Sequence, residues 1–123
     1  MKICFVVNSV ETEKSGTTAF IMHEARKRGH DVYAMGVGDF SFTNKQELGV
    51  IATSLPKNAA PKTAKEFIEI LHSDKAKKEK IIAKELDVLF IRNNPTEEAE
   101  GRNWAEHSGV AFGRMVQKEG VLV

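Results

Sequence analysis

The feature that most constrains this chain is its opening run, Ile3-Cys4-Phe5-Val6-Val7, five consecutive apolar residues rich in β-formers. A run without alternation belongs to a strand buried on both faces, as happens where helices cover a parallel sheet from both sides. The run turns polar at Asn8-Ser9, and residues 8–16 read as a long loop. A helix is expected over about 18–28, with Thr18, Ile21, Met22 and Ala25 at i, i+3, i+4 and i+7 forming an apolar stripe. Thr17 or Thr18 is placed to cap it, and Gly29 to end it in the left-handed conformation. Residues 31–35 then give a second strand. Strand, helix and strand at this spacing form a βαβ unit, so the first two strands should run parallel.

Further along, residues 36–49 predict a loop with a short edge strand, 50–55 another strand, and 56–61 a connector. Ala64, Phe67, Ile68 and Leu71 predict a helix from about residue 62, with Pro61 at its first position. Residues 73–80 are densely charged and read as a helix break or a solvated helical face, after which Ile81, Ile82 and Leu86 return to the core. Residues 87–92 form a strong strand that stops at Arg92-Asn93-Asn94-Pro95. The last helix lies within 97–118 on a stripe of Trp104, Ser108, Ala111, Phe112 and Met115, with Gly120 as its stop. Val121 to Val123 open one more strand. A final strand that ends at the last residue predicts that residues 1–123 are one domain of a longer protein. The expected class is α/β: a Rossmann-like, three-layer domain with a mostly parallel sheet.

Composition removes several functions. A chain of 123 residues has room for one domain. Its net charge of +1 gives no field suited to nucleic acid or an anionic membrane. Its apolar runs are too short to cross a bilayer, and no leader-like segment opens the chain, so a cytoplasmic protein is expected. Cys4 is the only cysteine; inside the first strand it reads as a buried structural thiol.

Open α/β sheets bind ligands beyond the carboxyl ends of their parallel strands. Those ends are Asn8-Ser9, residues 36–39, and Arg92 with Asn93, Asn94 and Pro95. Arg92 carries a fixed charge and a planar fork suited to carboxylate or phosphate, though it could instead pair with a neighbouring acid. Asn93, Asn94, Asn8 and Ser9 read either as ligand-facing groups or as turn formers. Gly36-Val37-Gly38-Asp39 follows the second strand and lacks a third glycine, so it is a turn and not a dinucleotide fingerprint. The four histidines lie at no metal spacing, His23 and His107 are expected on solvated helix surface, and Trp104 is expected in the core.

Three stretches together resemble the N-terminal domain of bacterial glutathione synthetase, an ATP-grasp ligase. They are residues 2–10, residues 17–40 with Glu24-Ala25-Arg26-Lys27-Arg28-Gly29-His30 and Gly38-Asp39, and Asp87-Val88-Leu89-Phe90-Ile91-Arg92 leading into Asn93-Asn94-Pro95. The resemblance implies a pre-ATP-grasp domain that is not catalytic alone. ATP and Mg²⁺ would be bound by a missing ATP-grasp domain, which activates a carboxylate as an acyl phosphate for attack by an amine. It further implies an amino-acid or peptide substrate, possible homo-oligomers, and a cleft faced by Arg92, Asn94 and the Asn8-Ser9 turn. The family usually carries aspartate-proline where this chain has Asn8-Ser9, and an aspartate where it has Asn94. These exchanges of carboxylate for amide leave products other than glutathione open. Two other readings stay open on sequence: half of a two-domain glycosyltransferase, and a Rossmann-like interaction module without catalysis.

Overall fold

A computed structural model describes residues 1–94 and 104–123, with backbone alone at 105 and 106. Six strands form one sheet: β1 (Lys2–Val7), β2 (Asp31–Gly36), β3 (Phe40–Phe42), β4 (Leu48–Ser54), β5 (Lys77–Ile82) and β6 (Val88–Ile91). The helices are α1 (Thr17–Lys27), α2 (Ala64–Leu71) and α3 (Ala105–Lys118), with a 3₁₀ turn at Ala83–Glu85. β1 lies between β2 and β6 and is parallel to both, pairing Ile3 with Val32 on one side and with Val88 on the other. The uninterrupted apolar run therefore marks an interior strand, flanked on both edges. Ile3, Phe5 and Val7 face α1 and α2, whereas Cys4 and Val6 face α3, so each face of the sheet has its own core.

The sheet is mixed and not mostly parallel, because β4 runs antiparallel to β2, β3 and β5. A strand has two edges. β5 occupies one of them from Gly49 to Ser54, and the other is shared by β3 at its start and β2 at its end. The charged segment expected to be a helix break or a solvated helical face contributes β5 instead. Lys77, Lys78 and Lys80 are exposed on it, as suits an edge strand, where charge discourages pairing with another chain. Beyond β6 the chain end adds an isolated parallel bridge, Val88 to Leu122, within the segment expected to open a further strand.

The helices confirm their ends better than their buried faces. Gly29 has φ +88° and closes α1, with the His30 N–H reaching the Ala25 carbonyl at 3.2 Å. At the other end Gly16, not Thr17 or Thr18, occupies the capping position and offers no side-chain bond. α1 buries Thr18, Ala19, Met22 and His23. His23 is only 6% exposed, contrary to the solvated position expected, because α2 covers that flank and brings Phe67 to 6.2 Å ring to ring. α2 is capped by Thr63, whose Oγ1 accepts the Glu66 N–H at 3.1 Å; Pro61 lies before the cap and not at the first helical position.

α3 buries Gly109, Phe112, Gly113 and Val116, while Ala111 and Met115 are exposed. Its close approach runs through glycine: a Cβ on Gly113 would stand 2.5 Å from Ile91 Cδ1. Trp104, expected in the core, is 58% exposed. Pro95 lies outside the described residues. No described helix is long and apolar enough to cross a membrane.

Candidate functional site

β1, β2 and β6 are mutually parallel through β1, so their carboxyl ends open on the same side of the sheet. The loop after each strand carries the residues singled out above. Asn8 and Asn94, 86 positions apart, are joined by two bonds of 2.7 Å: Asn8 Nδ2 donates to the Asn94 carbonyl, and the Asn94 N–H donates to Asn8 Oδ1. Both functional groups of the Asn8 amide are thus engaged in holding the β1 and β6 loops together. Asn8 is a clamp between two loops, a role not visible in its local sequence.

Arg92 continues from β6, its N–H bonded to the Val6 carbonyl at 2.8 Å. Its side chain is exposed, with Nε donating to Thr18 Oγ1 at 3.3 Å and the guanidinium 5.9 Å from the Phe90 ring centre. Among the described residues no carboxylate lies within ion-pairing distance of it. Thr18 sits in the first turn of α1, which has no acidic residue and no side-chain cap. The amide N–H groups of that turn and the guanidinium therefore form one positive corner, suited to a carboxylate or phosphate oxygen.

Asn93 turns the other way. Its Oδ1 is buried without a partner and stands 2.7 Å from where a Cβ on Gly109 would be, so the side chain lies under α3. Ser9 donates to Glu11 Oε2 at 2.8 Å, and this bond is the main reason the Glu11 carboxyl is held below its ordinary range. Arg92, Asn94, Asn8 and Ser9 are thus brought to one end of the sheet, while the Asn93 side chain is directed away.

Between the β1 and β2 loops lies a pocket of about 160 Å³ lined by Asn8, Ser9, Glu11, Gly36, Gly38, Asp39 and Trp104. Asp39 Oδ2 accepts the Gly36 N–H at 2.8 Å and fixes the turn. A Cβ on Gly36 would lie 3.1 Å from that oxygen, so a larger residue there would have to push the Asp39 carboxylate back by a few tenths of an ångström. Burial, with a contribution from Asp39, pushes the Cys4 thiol well above its ordinary value, so Cys4 is the structural thiol the sequence implied. Sequence reasoning pointed to residues 36–39, and with them Asp39, as a strand end but did not bring Glu11, Thr18 or Trp104 to this place. Thr18 and Trp104 were read as packing residues, and only the fold brings them to the strand ends.

Residues 1–105 match the family model of the prokaryotic glutathione synthetase N-terminal domain. No curated protein matches the chain. Asn8 and Asn94, the two positions at which the resemblance led one to expect aspartate, are the two partners of the clamp.

Proposed function

Since the chain belongs to the prokaryotic glutathione synthetase N-terminal domain family, we propose that it forms the substrate-side wall of an ATP-dependent carboxylate–amine ligase. The three layers, with α1 and α2 on one face and α3 on the other, are read as a Rossmann-like pre-ATP-grasp domain. The observation that carries the function is the positive corner at Arg92. A guanidinium with no acidic partner among the described residues, beside the uncapped first turn of α1, is organised to hold an anionic substrate group. The substrate is an amino acid or peptide, and Arg92 binds its carboxylate. Asn8 positions the β6 loop from which Arg92 projects, and Ser9, Asn94 and Asn93 shape the surrounding turns.

ATP and Mg²⁺ do not fit the described residues. Among the described residues no three histidine, cysteine or acidic side chains converge on a metal position, and the sequence has no glycine–lysine cradle for phosphates. Both belong in the proposal to a companion ATP-grasp part, where the carboxylate is activated before the amine attacks it. No reaction step is assigned to this domain; its work is to bind and orient. Homo-oligomers and a cytoplasmic location accompany the proposal. The family match favours this reading over a glycosyltransferase half or a non-catalytic module.

The test is ADP release by the polypeptide that naturally carries this domain, against a panel of amino acids and short peptides. Turnover with at least one carboxylate–amine pair is expected, with KM for the substrate raised in Arg92→Ala. Absence of turnover with every pair, or an unchanged KM, would overturn the proposal.

A further inference from the structure

At the opposite end of the sheet from the Arg92 corner, where α1 ends and β2 begins, lies a hollow of about 410 Å³. Its walls come from the last turns of α1, the start of β2 and the connector after β4. Three permanent cations, Arg26, Lys27 and Lys57, line it against a single acid, Asp31. Lys27 is occupied by Glu24 at 3.3 Å, but Arg26 and Lys57 have no carboxylate within ion-pairing distance among the described residues. Arg26 is also held in place. Its Nη2 donates to the carbonyls of Pro56 and Ala59, both at 2.9 Å, which leaves Nε and Nη1 without a partner among the described residues. A second hollow of about 330 Å³ shares Arg26, Asp31 and Lys57 and adds Lys2 and Lys77 against Glu79, so the positive surplus continues beyond the first.

A second observation comes from His23, on the same wall. Only 6% of it is exposed, and its Nδ1 is sealed from solvent with no hydrogen-bond partner. Buried polar atoms are normally paired, so an orphan beside a cavity calls for an explanation. In its neutral form the ring carries one proton. On Nδ1 that proton would be an N–H buried without an acceptor; on Nε2 it leaves only a lone pair unsatisfied and gives the hollow a donor. An imidazole N–H, an arginine fork with free donors and an unpaired lysine together make a phosphate-binding set. The carbonyl end of α1 would by itself repel an anion, so binding must come from these side chains.

We infer that this hollow binds a small phosphate-bearing molecule, with Arg26, Lys57 and His23 Nε2 as its donors. Its volume lies in the range of pockets for whole small molecules, which leaves room for the group that carries the phosphate. The site is separated from the Arg92 corner by the length of β1, roughly 20 Å for its six residues, and does not depend on the reading of Arg92.

The test follows the His23 ring and Arg26 Nε resonances of the isotope-labelled 123-residue chain. Inorganic phosphate, and separately methyl phosphate, is added at an ionic strength held constant with chloride. Saturable shifts at both residues are expected below about 10 mM with either probe. Lys57→Gln, a change at an exposed position, should weaken both probes by about tenfold. Arg26→Lys keeps the charge but loses the fork and should also weaken them, whereas Arg92→Ala should leave the His23 shifts unchanged. Long-range ¹H–¹⁵N spectra should place the His23 proton on Nε2. No saturable response at His23 and Arg26, or one that Lys57→Gln and Arg26→Lys leave unchanged, would overturn the site. So would a neutral His23 with its proton on Nδ1. A response abolished by Arg92→Ala would instead assign the phosphate to the other end of the sheet.

Discussion

Removing the Asn8 amide tests how the site is held together. In Asn8→Ala both 2.7 Å bonds to the Asn94 backbone are lost, and with them the direct tie between the β1 and β6 loops. A net hydrogen bond is worth about 0.5–1.5 kcal/mol, and water can partly replace these because Asn94 is exposed. The two together should therefore contribute about 1–2 kcal/mol. For a domain of this size that corresponds to a fall in Tm of roughly 3–10 °C. Urea denaturation followed by circular dichroism gives the free energy, and the midpoint should fall with an unchanged slope. Asn8→Asp is the sharper probe. It keeps the acceptor for the Asn94 N–H but turns an oxygen toward the Asn94 carbonyl, so at neutral pH it should destabilise at least as much as alanine. A loss below about 0.3 kcal/mol for alanine, or wild-type stability for aspartate, would refute the clamp.

Other outcomes follow from single contacts. Thr63→Ala removes the α2 cap and should cost about 1 kcal/mol, read by the same denaturation experiment. Gly113→Ala forces a Cβ to 2.5 Å from Ile91 Cδ1; an overpacking cost of about 1–3 kcal/mol should offset the roughly 1 kcal/mol gain in helix propensity and leave the variant no more stable than the parent. The raised pKa of Cys4 has a definite sign: the folded thiol stays protonated where the unfolded one ionises, so stability is retained below the ordinary value of 9.0 and falls as pH rises above it. That alkaline slope should be shallower in Cys4→Ala, and Cys4 should react with thiol reagents only under conditions that unfold the chain.

Much of the fold was legible because its signals are local. The apolar run of β1 announced a strand buried on both faces, and Gly29 and Gly120, with φ +88° and +91°, ended their helices as read. β5 was not legible, since Lys77-Lys78-Glu79-Lys80 carry no apolar alternation; only pairing along β4 makes them a strand. The orientation of α3 was hidden for a different reason. It packs through Gly109 and Gly113, which add nothing to a hydrophobic stripe, and this turns Trp104 outward. His23 was misplaced because the cover that buries it, α2, lies about forty residues away in sequence, a separation no helical periodicity reports. Within the site, Arg92 could be singled out from its charge at a strand end. The Asn8–Asn94 clamp could not, being a contact across 86 residues whose acceptor and donor on one side are main-chain atoms.

The central claim is that Arg92 holds a substrate carboxylate at the end of β6. It is tested most directly by following the ¹⁵N–¹H resonance of Arg92 Nε while glycine is titrated into the isotope-labelled chain. The account predicts a saturable shift of that resonance, with companion shifts at Thr18 and in the first turn of α1. A silent Arg92 resonance at glycine concentrations that perturb signals elsewhere in the chain would contradict it.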